Sequence, residues 1–99
     1  MIVREPGSGT RDVAMAALAE HGVVPERVLQ VEGTEAIKQT VASGLGVAVV
    51  SRAATHDQLK LGRLRAIRVR GLRLTRALTR LTLEGRSESA AARAFTAML

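Results

Sequence analysis

Apolar and polar positions in the first half of the chain alternate between two periods, one suited to strands and one to helices. Met1–Arg4 is a short apolar start that stops at Glu5-Pro6-Gly7. From Thr10 to His21, the residues Val13, Ala14, Ala17, Leu18 and His21 recur at the spacing that places side chains on one helix face. Asp12 falls in the first turn, where the positive helix end favours an anion, and Gly22 supplies the stop. Val28–Glu32 reads as a second strand. Thr34 is expected to cap a second helix, with Glu35 in its first turn and Ala36, Ile37, Thr40 and Val41 as its inner stripe; Gly44 ends it. Gly46-Val47-Ala48-Val49-Val50 is a continuous apolar run, the pattern of a strand buried on both faces of a parallel sheet.

The second half is patterned differently. Residues 52–61 read as a short irregular helix ending at Gly62. Leu64–Arg70 and Leu74–Leu83 read as further strands around Gly71. Ser87 is expected to cap a last helix in which Ala91, Ala94, Phe95, Met98 and Leu99 recur at helical spacing.

The strand–helix order of residues 1–51 predicts an α/β fold with a parallel βαβαβ sheet. Parallel strands joined by right-handed crossovers put every strand-to-helix turn at one sheet edge, where open α/β sheets hold ligands. Those turns are Pro6-Gly7-Ser8-Gly9-Thr10, Gly33-Thr34-Glu35 and the segment after Ser51, so three remote stretches are expected to converge.

Composition narrows the chemistry. Among 99 residues there is one Phe and no Trp, Tyr or Cys, so aromatic stacking platforms, disulfides, thiolate metal sites and thiol catalysis are all excluded. His21 and His56 are too few to build a histidine metal site. No apolar run approaches the ~18 residues of a membrane span, and no signal peptide opens the chain. The chain reads as soluble and cytoplasmic, with no cofactor implied. The net charge of +6 is unevenly placed. Residues 1–50 hold four basic and six acidic groups, whereas residues 51–99 hold eleven basic and three acidic. Most of the excess is Arg63, Arg65, Arg68, Arg70, Arg73, Arg76 and Arg80. Arg68 and Arg70 alternate with Ile67 and Val69, which favours an arginine-bearing edge strand over a nucleic-acid contact. Pairing with acidic surface elsewhere in a longer protein is a third reading.

The loop at residues 6–11, Pro-Gly-Ser-Gly-Thr-Arg, is the informative motif. Its glycines let backbone approach a ligand, and the Ser8 and Thr10 hydroxyls join free amides at a helix start to make a donor-rich pocket for a carboxylate, sulfate or phosphate. It lacks the spacing and lysine of a Walker loop, and Asp12 stands where the dinucleotide fingerprint needs its last glycine. A well-capped tight turn explains the same residues. Gly33-Thr34-Glu35 repeats the theme more weakly. Arg11 is placed to meet an anion, Glu35 or solvent. Catalysis finds little support: Ser8 has no neighbouring His, His56-Asp57 sits in a polar stretch, and Glu5, Glu32 and Glu35 have no aromatic cleft around them.

Three blocks in order carry a resemblance: Arg4-Glu5-Pro6-Gly7-Ser8-Gly9-Thr10-Arg11, Gly33 through Gln39, and Val41 through Ser51. Together they resemble the effector-binding domain of LysR-type transcriptional regulators, in particular activators of carbon fixation and of sulfur and nitrogen assimilation. Gly62-Arg63-Leu64, Arg76 and Ala90–Phe95 fit that family's ending. The resemblance implies a type 2 periplasmic-binding-protein-like fold, here a partial two-lobe domain. Residues 1–74 would correspond to lobe II, and residues 75–99 to the strand and helix that return to lobe I. It implies that Ser8, Gly9, Thr10, Gly33, Thr34 and Glu35 face a small effector, which the donor-rich first loop leads us to expect is anionic. DNA would be met only through a helix-turn-helix outside this chain.

The expected function is therefore effector sensing for transcription regulation, without enzyme activity. The alternative is a lobe of a solute- or anion-binding protein not linked to DNA. Phe95, Met98 and Leu99 are expected to lack a covering surface, which predicts homo-oligomerisation through the last helix or a strand edge.

Overall fold

The computed structural model describes residues 1–99. Its organising element is β1 (Ile2–Val3), which has a parallel neighbour on each side. On one side lies β2 (Leu29–Gln30), with Ile2 opposite Leu29 and Val3 opposite Gln30. The Leu29 amide donates to the Met1 carbonyl at 2.9 Å and the Val31 amide to the Val3 carbonyl at 3.0 Å. On the other side the Ile2 amide donates to the Val47 carbonyl at 2.8 Å, and Ile2 forms a parallel bridge with Ala48. Three parallel segments thus lie in the spatial order 29–30, 2–3, 48. Two helices connect them, α1 (Gly9–Glu20) and α2 (Thr34–Ala42). This is the predicted β-α-β-α order in a small α/β unit.

The core sits where helices meet β1. Ile2, Val3, Ala14 and Ile37 are its buried apolar residues. Ala14 belongs to the predicted inner face of α1 and Ile37 to that of α2, so both periodicities point as read. The continuous run 46–50 departs from expectation. It contributes only the bridge at Ala48, and Val47 is 54% exposed, so it is not a strand buried on both faces. Lys38 was not expected inside, yet it is buried at 9% exposure. Its ammonium donates to the Ala54 carbonyl at 3.0 Å and pairs with Glu35 at 2.8 Å, which ties α2 to the 3₁₀ turn Ala53–Thr55.

After that turn comes α3 (His56–Lys60), closing near Gly62 as predicted. The two strands expected over Leu64–Arg70 and Leu74–Leu83 do not form. A strand needs a partner edge. The backbone bonds made by amides of residues 64–83 outside regular elements run locally, from Leu64 to Gln58 and from Leu72 to Val69. The edge-strand reading of Arg68 and Arg70 falls with them. Residues 71–76 instead lie along α1. The imidazole of His21, at the end of α1, meets the Gly71 carbonyl at 3.2 Å, and the Arg76 guanidinium donates to the Thr10 hydroxyl at 3.4 Å. Five extended steps cover roughly 17 Å and eleven helical ones about the same, so the two anchors match in span. Leu72 and Leu74 are half-buried on this path while Arg73 is exposed.

The last helix, α4 (Ala90–Ala97), is capped by Ser89 and not by Ser87: the Ser89 hydroxyl accepts from the Ala92 amide at 3.1 Å. None of its residues is buried. Phe95, Met98 and Leu99 are 62%, 83% and 80% exposed, and Leu78 and Leu81 each 89%. The radius of gyration is 16.9 Å, against roughly 13 Å for a compact domain of this length. The accessible surface is 8300 Å², against roughly 5400 Å² for a folded monomer of this mass. No helix is long and apolar enough to cross a membrane.

Candidate functional site

The chain leaves β1 through Arg4 and Glu5 and turns at Gly7, whose φ of +88° suits a residue without a side chain. Ser8 then caps α1, its hydroxyl accepting from the Arg11 amide at 3.4 Å. Because residues 9 and 10 open the helix, their amides have no carbonyl four residues back within it. Neither the Gly9 nor the Thr10 amide finds a partner elsewhere in the chain. These free donors face a recess of about 240 Å³ lined by Arg4, Ser8, Gly9, Thr10, Thr34, Val50, Ser51 and Arg76. The first two strand-to-helix turns line it through Ser8, Gly9, Thr10 and Thr34; the third, expected after Ser51, does not, and only the residues leading into it, Val50 and Ser51, reach the recess.

A guanidinium clamp fixes two of those loops together. Arg4 donates twice to the Glu5 carboxylate, at 2.8 and 2.6 Å, and once to the Thr34 hydroxyl at 2.9 Å. The Gly33 amide donates to the same carboxylate at 3.2 Å. Hydrogen bonds from Arg4, from the Glu5 amide itself and from Gly33 hold the Glu5 carboxyl down at about 2. Arg4 is raised in turn by its bond to Glu5. No carboxylate lines the recess, and the Glu5 carboxylate is spent on Arg4 and Gly33. Arg11 completes the frame, donating to the Arg4 carbonyl at 2.9 Å and the Gln30 side chain at 3.0 Å, so it meets neither Glu35 nor the recess.

Of the six residues expected to face a ligand, Ser8, Gly9, Thr10 and Thr34 line the recess. Gly33 and Glu35 do not. Gly33 is the N-cap of α2, with φ +83° and ψ 154°, and its amide is turned to Glu5. Thr34 is the first helical residue and not the cap, which frees its hydroxyl for Arg4. Glu35 lies one position further round the helix, 68% exposed, and Lys38 lowers its carboxyl by pairing with it. Sequence reasoning missed Arg4, Val50, Ser51 and Arg76 as lining residues. Arg4 had a signal, a cation next to a loop glutamate. Arg76 had a weaker one, its even spacing from the half-buried Leu72 and Leu74.

Chemically the recess offers donors. Ser8, Thr10 and Thr34 each already accept a hydrogen bond from the chain, so their protons remain to be given. A larger depression of about 740 Å³ opens between Lys38, Arg52 and the start of α3. Its buried cation is already held by Ala54 and Glu35, and of the three turns expected to converge only the segment after Ser51 lines it.

A family model described as the LysR substrate binding domain matches residues 1–99. The chain belongs to the LysR substrate-binding-domain family. It is 37% identical over 98 residues to the HTH-type transcriptional regulator CbbR of Rhodospirillum rubrum, covering 99% of this chain and 33% of that one. It is 43% identical over 75 residues to the RuBisCO operon transcriptional regulator of Acidithiobacillus ferrooxidans, covering 76% and 24%. A 44% match over 95 residues joins it to the phosphonates import ATP-binding protein PhnC of Anaeromyxobacter dehalogenans, covering 93% of this chain and 19% of that one. No solved structure gives a significant match. The chain spans a third or less of the length of these relatives.

Proposed function

We propose that this LysR-family domain senses a small anionic metabolite bound at the recess between the converging loops. Ser8, Gly9, Thr10 and Thr34 supply hydroxyl and amide donors to it, and Gly33 and Glu35 hold the second loop from behind. In a longer, cytoplasmic regulator, occupancy shifts the balance between arrangements of a two-lobed, periplasmic-binding-protein-like domain and so repositions a DNA-bound helix-turn-helix. The observation that carries this reading is the donor imbalance: unpaired amides and hydroxyl residues line a space that no carboxylate lines, the Glu5 carboxylate of its frame being held by Arg4. The regulators it resembles, two of them named for transcription control, supply the biological setting. No catalytic role is assigned.

The test is transcriptional response of the intact regulator carrying Ser8→Ala and Thr10→Ala. Loss of response to every small anion tried, with DNA binding retained, supports the site; an unchanged response overturns it. The alternative, an anion-binding lobe with no DNA-reading partner, has one observation on its side, the match to a protein named for phosphonate import. It predicts that the gene product carries no helix-turn-helix.

A further inference from the structure

Residues 62–83 carry seven arginines, Arg63, Arg65, Arg68, Arg70, Arg73, Arg76 and Arg80, and no acidic residue. Such a run is ordinarily the solvated side of a strand, or is balanced by acids on a neighbouring element. Neither explanation holds for this chain. No strand forms over the run, and all seven arginines are exposed. The two salt bridges of the molecule, Arg4–Glu5 and Lys38–Glu35, lie elsewhere. Arg76 and Arg80 donate only to the Thr10 and Thr96 hydroxyls, and the other five side chains make no hydrogen bond or ion pair. At no more than ~3.6 Å per residue, neighbouring arginines of the run stand within about 7–14 Å of one another. A polymer with closely spaced negative charges can therefore meet several of them at once.

We infer that residues 63–80 form a contact surface for the phosphate backbone of duplex DNA, separate from the recess and from any helix-turn-helix. The run contains arginine and no lysine, and a guanidinium fork engages two phosphate oxygens where an ammonium offers a point charge. Duplex is favoured over single strands because no aromatic residue lies in the run to stack on unpaired bases. An anionic lipid surface asks for an amphipathic helix with aromatic anchors, and residues 64–83 form no helix. A second copy of this chain offers little acid in return: residues 1–50 hold six acidic groups, of which Glu5 and Glu35 are already paired. A single inorganic phosphate gains little here, because affinity comes from counterions released along a polymer. Contacts of this kind hold the duplex without reading its sequence. The place of this surface in a DNA-bound regulator rests on the function proposed above; the binding itself does not, and its test uses no effector.

The experiment titrates the 99-residue chain into a fluorescent duplex of about 20 base pairs, read by anisotropy at salt concentrations from about 50 to 200 mM. Three proteins are compared. One is wild type, and one carries Arg68→Gln, Arg70→Gln and Arg73→Gln, exposed side chains whose loss breaks no bond. The third carries Arg27→Gln, Arg52→Gln and Lys60→Gln, which removes the same charge from exposed positions outside the run. The logarithm of wild-type affinity should fall linearly with that of salt, and the run variant should reduce this slope by about 3, the control by less than about 1. At the lowest salt the run variant should bind at least about tenfold more weakly than the control. A duplex of unrelated sequence should bind wild type equally well, and duplex binding should slow amide exchange over residues 63–80. No saturable binding at the lowest salt overturns the inference. Equal losses in the two variants overturn it, since net charge would then explain both. Protection confined to residues outside the run does so without reference to any variant. A marked sequence preference overturns the backbone reading, and tighter binding to phosphatidylglycerol vesicles or polyglutamate than to duplex overturns the choice of DNA.

Discussion

Glu5 and Gly33 show how single residues decide what the recess can hold. The Glu5 carboxyl sits at about 2 against an ordinary 4.5 because Arg4 and two amides bond its charged form. A lowered carboxyl stabilises the fold fully above its unfolded value and ceases to do so as pH falls through its folded value. Glu5→Gln should therefore melt below wild type at pH 7, and the gap between the two should close as pH drops from about 4.5 toward 2. Thermal melts across that range check it; a gap that stays constant would show the clamp is not electrostatic. Gly33, at φ +83° and ψ 154°, occupies backbone space open in practice to glycine alone. Gly33→Ala should cost about 1–3 kcal/mol in chemical denaturation. Both features escape a sequence reading for the same reason. Glu5 is legible as a loop acid and Gly33 as a turn glycine, but their meeting across 28 residues depends on β1 and β2 lying side by side. Thr34 was misread as the cap because hydroxyl residues usually cap helices; here Gly33 takes that place, and the hydroxyl goes to Arg4.

At the scale of elements, α1 and α2 were legible and the strands of the second half were not. A helix makes its backbone bonds internally, so the spacing of Val13, Ala14, Ala17 and Leu18, or of Ile37 and Val41, is enough to announce it. A strand needs a partner, and the alternation of Ile67 to Arg70 carries no information about whether an edge is there to receive it. Ile37 is fully buried on β1. Ile37→Ala should cost about 2–5 kcal/mol by leaving a cavity, a large share of the stability available to so small a core. Loss of a cooperative urea transition would read it out; a loss below about 1 kcal/mol would mean α2 is not seated as described. For α4 the local signal carries more weight because none of its residues is buried. Ser89→Ala removes the bond to the Ala92 amide and should cost about 1 kcal/mol of helix stability. Ser87→Ala should cost almost none. Amide exchange over residues 90–97 separates the two variants.

The whole molecule divides into a compact αβ unit that builds the recess and a trailing half whose apolar residues stay in solvent. Surface of roughly 2900 Å² beyond that of a compact monomer exceeds what a standard protein interface buries. Phe95, Met98 and Leu99 lie within it. The domain should therefore self-associate as concentration rises, through residues 64–99. Sedimentation at micromolar to millimolar loading checks this, and Phe95→Ser with Leu99→Ser should weaken the association at least tenfold. A monomer throughout would contradict it. The excess positive charge travels with this trailing half, away from most of the recess, which is why net charge alone said little about the ligand; Arg76 is the exception that returns to it. The central claim, that the converging loops hold a small oxyanion, is tested most directly by mapping amide chemical shifts of the chain during a phosphate titration. Saturable shifts at Gly9, Thr10, Thr34 and Ser51 are predicted, abolished in Ser8→Ala with Thr10→Ala. Shifts spread over Arg63–Arg80 without saturation, or none at those four amides, would contradict it.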